Sequence, residues 1–216
     1  MRNRGAKMRL AMVMVACAWH GAYAVTIDFE SILPGTQWGS ETGQNPGDPI
    51  LSESNIMLSV ETFQFGPSQT EFFRAEVPGP QGRFVDAFPT QEMTFDGINV
   101  LFDFSQLGYD VDFVSLEFGD FGGTSNFGVN GGTLHILDPL SGLPSDVAPG
   151  VSASVIGGSR IELVANGSFI TSFQIGGQEL AIDNVNVVPE PATAMFLLAG
   201  ALAFARRRLF VRRPQI

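Results

Sequence analysis

Two stretches, Val100-Leu101-Phe102-Asp103-Phe104 and Phe169-Ile170-Thr171-Ser172-Phe173-Gln174-Ile175, decide the fold class. Apolar residues alternate along each of them, and a period of two is typical of a β-strand that buries one face. The side chains predicted to face the core are Val100, Phe102, Phe104, Phe169, Thr171, Phe173 and Ile175.

Outward from these stretches, short apolar runs broken by Gly, Pro, Asn and Asp indicate strands, and no window has sustained helical periodicity. Three pairs, Asp96-Gly97, Asn130-Gly131 and Asn166-Gly167, predict hairpin turns because such residues accept positive φ angles. Residues 35–49 and 138–150 are predicted to be long loops. The predicted strands are residues 25–29, 56–65, 70–77, 93–104, 111–118, 133–137, 151–156, 160–165, 168–175 and 180–187.

Nine or ten short strands without helices predict an all-β fold, an antiparallel β-sandwich of jelly-roll-like form with the first and last strands adjacent. The predicted domain spans residues 25–187. The chain has 19 Phe, which supply core volume to a sandwich without disulfides.

Charge is distributed in blocks along the 216 residues. All 22 acidic side chains lie between Asp28 and Glu190, where the basic residues are Arg74, Arg83 and Arg160, so the formal charge of that section is −19. Such a section repels phosphate backbones, which excludes nucleic acid as a partner and favours neutral polymers or divalent cations.

The first 24 residues have the form of a signal peptide. A basic start is followed by a short apolar run from Leu10 and by Ala22-Tyr23-Ala24, the small-x-small pattern that signal peptidase cleaves. Cleavage would make Val25 the mature N-terminus and remove Cys17, the single cysteine of the chain. Disulfides and cysteine-based chemistry are therefore excluded from the mature protein.

Residues 188–216 form a tail with three parts in order. Val188-Pro189-Glu190-Pro191 is rigid and is predicted to be an accessible linker, since prolines stop a strand. Residues 192–205 are apolar and predict a transmembrane helix of about 21 Å, short for a hydrocarbon core of roughly 30 Å. Arg206-Arg207-Arg208 follows and would stay on the cytoplasmic side.

This order of motif, apolar helix and arginine cluster resembles the PEP-CTERM sorting signal of Gram-negative bacteria. The resemblance implies an exosortase as partner, a membrane-embedded transpeptidase-like enzyme found in organisms that make exopolysaccharide. It also implies a precursor anchored in the inner membrane and a product delivered to the cell surface or extracellular matrix. The remaining alternative is a plain C-terminal anchor.

The two ends of the middle domain also resemble the terminal strands of secreted carbohydrate-binding, galactose-binding-like modules. That resemblance implies a structural calcium held by Glu30 and Asp183, and the alternative is that both carboxylates point to solvent. Trp38 and Tyr109 are candidates for a sugar-stacking surface, although packing in the core is the alternative for Trp38.

No catalytic, phosphate-binding or dinucleotide-binding motif is present, and His135 lies within a predicted strand without a nucleophile elbow. The sequence therefore predicts a non-enzymatic, exopolysaccharide-associated binding or structural protein. The alternative is a secreted carbohydrate-active enzyme that uses a pair of carboxylates.

Overall fold

The computed structural model describes residues 24–78 and 90–189. Within these ranges the chain forms fourteen β-strands and two single-turn 3₁₀ helices, Ser40–Thr42 and Leu140–Gly142, and the all-β prediction is confirmed. The strands are β1 Val25–Ile27, β2 Thr36–Gly39, β3 Pro49–Glu53, β4 Ile56–Gly66, β5 Gln69–Glu71, β6 Arg74–Val77, β7 Met93–Asp96, β8 Ile98–Asp103, β9 Val111–Val129, β10 His135–Leu137, β11 Asp146–Ala148, β12 Val151–Ile156, β13 Arg160–Ala165 and β14 Ser172–Pro189.

The fourteen strands belong to one antiparallel sheet built around two long strands, β9 and β14, which pair along almost their whole length. The edge of β14 that does not face β9 pairs in succession with β8, β7 and β1. The edge of β9 that does not face β14 pairs with β10 near one end and with β13 near the other. The first and last strands are therefore neighbours, as predicted.

The core is organised around Phe173 on β14, which has no exposed surface. Phe102 on β8 stacks on it with ring centroids 4.4 Å apart and an interplanar angle of 7°. Phe104 and Phe127 approach the same ring at 6.0 and 6.2 Å. Four phenylalanines thus fill one region of the core. Contacts between their rings stabilise the fold beyond the burial of apolar surface.

The period-two prediction is confirmed for most of its residues. Val100, Phe102, Phe104, Phe173 and Ile175 are all buried. The remaining two, Phe169 and Thr171, are exposed, and that part of the prediction is wrong. The reason is that β14 begins at Ser172, so the preceding residues do not follow its alternation and Ile170 is buried in their place.

One of the three predicted hairpin turns is confirmed. Asn130 and Gly131 have φ angles of 55° and 63° and join β9 to its partner β10. Asp96-Gly97 is not a hairpin turn, because β7 and β8 both pair with β14 instead of with each other. Asn166-Gly167 is not one either, since β13 and β14 are not paired.

The long-loop predictions are wrong in part. Residues 35–49 contain β2 and the first residue of β3, and residues 138–150 contain β11. These strands have only three to five residues, which is too short for period-two patterning to stand out.

The predicted signal peptide and the predicted tail helix lie outside the described residues, except for Ala24, which is exposed. In residues 24–78 and 90–189, no helix is long and apolar enough to cross a membrane.

Candidate functional site

Glu30 and Asp183 are both brought to the same two-residue segment, Thr90-Gln91. The backbone N–H of Gln91 donates to Glu30 Oε1 at 2.7 Å, and the Thr90 hydroxyl donates to Asp183 Oδ2 at 2.5 Å. The Gln91 side-chain amide also donates to the carbonyl oxygen of Phe29 at 3.1 Å. The pairing of β1 with β14 therefore brings the two predicted ligands close to one segment of chain.

The two carboxylates have different environments, because Glu30 is exposed and Asp183 has no exposed surface. Asp183 Oδ1 accepts the N–H of Asn184 at 2.7 Å, and Oδ2 accepts the Asn184 side-chain amide at 3.2 Å in addition to Thr90. Burial raises the pKa of Asp183, the hydrogen bonds from Thr90 and Asn184 oppose this, and the nearby Glu117 carboxylate raises it further.

These contacts leave little room for a metal ion. Both lone pairs of Asp183 Oδ2 are already used, and calcium requires six to eight oxygen ligands. Across the two described ranges, no group of three or more His, Cys, Asp or Glu side chains is placed to hold a metal. Calcium binding by Glu30 and Asp183 therefore stays a prediction, and any further ligands would have to be backbone carbonyl, amide or water oxygens.

Stability should fall as the pH rises from acidic to neutral. Burial raises the pKa of Asp183, Glu53 and Glu61 above the ordinary values of 3.8 and 4.5. The folded state then keeps protons that the unfolded state has lost, so this stabilisation is present at low pH and is lost as the pH passes through each folded-state pKa. Urea unfolding at a series of pH values between about 4 and 8 measures the slope.

In that experiment Asp183→Asn should flatten the pH dependence, because it removes the most deeply buried of the three carboxyls while keeping the Oδ1 acceptor for Asn184. Asp146→Asn, at an exposed position, is the control and should leave the slope unchanged. Wild-type stability that rises steadily up to neutral pH would contradict the prediction.

Trp38 lies on β2 and is part of the hydrophobic core, with 8% of its surface exposed. Its position matches the core-packing alternative, because no open ring face remains for a sugar to stack on.

Tyr109 borders a cavity of about 370 Å³ formed by residues 104–111 and 169–171. Buried Phe104, Val111 and Ile170 form its floor. Its rim is formed by half-buried Tyr109, which packs against the core, and by exposed residues, namely Ser105, Asp110, Phe169 and Thr171. The Phe169 side chain is 42% exposed. Burial raises the pKa of Tyr109, so its phenol stays a neutral hydrogen-bond donor. We call this cavity the Tyr109 pocket.

The walls of the Tyr109 pocket are fixed by hydrogen bonds. Asn130 donates its side-chain amide to the carbonyl oxygen of Phe169 at 2.8 Å and accepts the N–H of Thr171 at 2.7 Å. The N–H of Ile170 donates to the carbonyl oxygen of Val111 at 2.9 Å. The two segments that carry the rim residues are therefore joined to each other and to the β9–β10 turn.

Except for Tyr109, the rim residues of this pocket were missed by sequence reasoning. Ser105 and Asp110 lie in one segment and Phe169 in another, about 60 residues further along the chain. No sequence motif links the two segments. One local signal was available for Phe169, because it lies between an Asn-Gly pair and the start of a strand, where an exposed loop residue is common.

A second cavity of about 510 Å³ lies beside β10, β11 and β12 and is lined by His135, Asp146, Ser152 and Asn166 among others. His135 Nε2 is 3.3 Å from the carbonyl oxygen of Val147, and Ser152 Oγ accepts the Asn166 amide at 2.6 Å. His135 Nε2 and Ser152 Oγ therefore each have a hydrogen-bond partner within the protein.

The C-terminal end of β14 leads directly into the tail. Val187 and Pro189 are buried, and Pro189 is the last residue of the strand, paired with Val111. Comparison with known protein families matches residues 187–213 to the PEP-CTERM protein-sorting motif. The chain carries a PEP-CTERM sorting motif. No curated protein and no solved structure gives a significant match.

The motif implies that the protein is sorted by an exosortase, and that it is exported and anchored in the membrane before processing. The predicted sorting residues Val188 and Pro189 lie in β14, so the strand continues two residues beyond the predicted domain end at 187. Glu190, Pro191 and Arg206-Arg207-Arg208 lie outside the described residues.

Proposed function

We propose that this PEP-CTERM protein is a non-enzymatic module of the cell surface or extracellular matrix of a Gram-negative bacterium, and that it associates with exopolysaccharide through the Tyr109 pocket. The observation that carries the proposal is the composition of the pocket rim. Two aromatic side chains, Tyr109 and Phe169, stand beside the Asp110 carboxylate and two hydroxyl groups.

Such a rim suits a sugar because aromatic faces pack against the apolar C–H faces of the ring, while carboxylate and hydroxyl oxygens bond its hydroxyls. The acidic charge of the domain disfavours anionic ligands and is compatible with a neutral polymer. The hydrogen bonds of Asn130 hold Phe169 and Thr171 in place before a ligand arrives, so binding requires less ordering of the protein.

For the fold, we propose that the single sheet closes into a jelly-roll-like sandwich. The length of β9 and β14 supports this, since strands of 19 and 18 residues pair with different neighbours at their two ends. Strands that bend and pass from one layer to the other are a known way to form the corners of a sandwich.

Tyr109→Ala and Phe169→Ala, tested separately, should each weaken binding to the purified exopolysaccharide of the host about tenfold. That factor corresponds to about 1.4 kcal/mol, the scale of one aromatic contact. Affinity gel electrophoresis with the polysaccharide in the gel measures the change. The matched control is Phe121→Ala, because Phe121 is 41% exposed and lies outside the pocket.

Unchanged retardation of both pocket variants would contradict the glycan proposal. An assay of reducing-sugar release on the same preparations addresses the carbohydrate-active enzyme, the alternative function.

A further inference from the structure

The cavity of about 510 Å³ beside β10, β11 and β12 has the size and the lining of a ligand site, and we call it the His135 cavity. Cavities that hold small ligands commonly enclose about 300 to 1,000 Å³. Buried Val147 and Val151 give this cavity an apolar surface. Its polar lining consists of five side chains that can form hydrogen bonds, namely Thr133, His135, Asp146, Ser152 and Asn166.

Several of these polar side chains are accessible and held in place. Thr133, Asp146 and Asn166 are exposed. The Asn166 side-chain amide donates to Ser152 Oγ at 2.6 Å, and Asp146 on β11 is paired with Ser152 on β12. The cavity therefore presents hydroxyl, carboxylate and amide groups on a fixed framework, which suits a ligand with many hydroxyl groups.

The charge of the His135 cavity disfavours an anionic ligand. Asp146 is a carboxylate, and no lysine or arginine is among the described residues that line the cavity. A phosphate or a carboxylate would be repelled there. A neutral sugar requires no opposite charge, and its hydroxyl groups can both donate hydrogen bonds to the lining and accept them from it. The lining therefore suits the class of ligand that we propose for the Tyr109 pocket.

One loop separates the His135 cavity from the Tyr109 pocket. Asn166 lines the first and Phe169 lines the second, and three residues of extended chain span at most about 11 Å. The N–H groups of Asn166 and Ser168 donate to the carbonyl oxygen of Gly150 at 2.7 and 3.3 Å. The Asn130 side chain donates to the carbonyl oxygen of Phe169 at 2.8 Å. The loop is therefore held at both ends, and the two cavities lie within the length of a few sugar units.

We propose that the His135 cavity is a second sugar subsite, and that it and the Tyr109 pocket together bind one run of consecutive units in a neutral polysaccharide. This inference rests on the sugar binding proposed for the Tyr109 pocket, and it adds that the ligand recognised is a chain of several units and not a single sugar. A chain that spans both subsites binds more tightly than a fragment that fills one, because its second contact is intramolecular.

Competition by fragments of the purified host exopolysaccharide tests the length of chain that is recognised. Fragments from partial acid hydrolysis are separated by size, and each size class competes with the intact polymer in affinity gel electrophoresis. At equal concentrations of sugar units, fragments that span both cavities should inhibit about tenfold better, or more, than the shortest fragments. Equal inhibition by all size classes would overturn the proposal.

Asp146→Ala and Asn166→Ala, tested separately, each remove one hydrogen-bonding group from the His135 cavity. Both residues are exposed, so the variants should keep the wild-type unfolding midpoint. Each should weaken binding to the intact exopolysaccharide about fivefold, the effect of one lost hydrogen bond, and should reduce the advantage of the longer fragments. The matched control is Glu179→Ala, because Glu179 is an exposed carboxylate that lines neither cavity.

The four alanine variants distinguish the second subsite from the proposed function. Weaker binding after Asp146→Ala and Asn166→Ala, together with weaker binding after Tyr109→Ala and Phe169→Ala, supports both. Wild-type binding after Asp146→Ala and Asn166→Ala, with weaker binding after the two aromatic substitutions, overturns the second subsite and leaves the proposed function in place. Unchanged binding in all four variants overturns both. Weaker binding only after Asp146→Ala and Asn166→Ala also overturns the proposal that the two cavities act together.

Discussion

Phe173→Ala is expected to lower the free energy of unfolding by about 3 to 5 kcal/mol, the range for removing a large aromatic side chain from a packed core. Phe173 has no exposed surface, and its ring contacts Phe102, Phe104 and Phe127. The substitution removes apolar burial and also leaves the Phe102 ring without its stacked neighbour. Urea unfolding measures the loss through the shift in midpoint at constant slope.

Two controls separate the effect of an empty space in the core from a general effect of losing an aromatic residue. Phe169→Ala removes the same side chain four residues earlier, where it is 42% exposed, and should change stability by about 1 kcal/mol or less. Phe173→Leu retains part of the volume and should fall between the two. Equal losses for Phe173→Ala and Phe169→Ala would contradict the assignment of Phe173 to the centre of the core.

The sequence predicted those parts of the fold that depend on neighbouring residues. Alternation along residues 100–104 placed three side chains correctly, and the predicted bounds of β12 and β13 are those observed. The confirmed turn at Asn130-Gly131 is also a local feature, because both residues tolerate positive φ.

Features that depend on distant parts of the chain were not predictable in the same way. Gly176 and Gly177 separated two predicted strands, yet both lie inside β14. A Cβ atom at Gly176 would meet the carbonyl oxygen of Ile98 at 2.1 Å, so glycine is required there by the close approach of β8. In a sequence, that requirement is indistinguishable from a turn signal.

Four short hairpin turns between consecutive paired strands were missed, and two of them show what the sequence does and does not reveal. Ser54 and Asn55 join β3 to β4 with φ angles of 52° and 66°, although neither residue is a glycine. Gly157 and Gly158 join β12 to β13, and this pair was a usable local signal.

The candidate site was predictable only in fragments. Tyr109 was identified as an aromatic near a strand start, but its partner Phe169 reaches the same cavity through the pairing of distant strands. Glu30 and Asp183 were expected to be neighbours because terminal strands pair, and both do contact Thr90-Gln91. The full burial of Asp183 depends on the packing of the whole sheet and has no signature in the residues around it.

Ending the chain at Pro189 is expected to release the protein from the membrane. The truncation removes the apolar stretch and Arg206-Arg207-Arg208, which are predicted to provide the membrane segment and its orientation, and it removes most of the matched sorting motif. All fourteen strands remain, as does Val111, which both pairs with Pro189 and lines the Tyr109 pocket. We therefore expect a folded domain in the soluble fraction outside the cytoplasm, with the unfolding midpoint and glycan binding of the mature protein, and almost none in the membrane fraction. A full-length control with lysine in place of the three arginines keeps the positive charge and should stay membrane-associated before processing. Truncated protein that remained in the membrane fraction would mean that a part of the chain before Glu190 anchors it, and that the motif acts on a protein already held there.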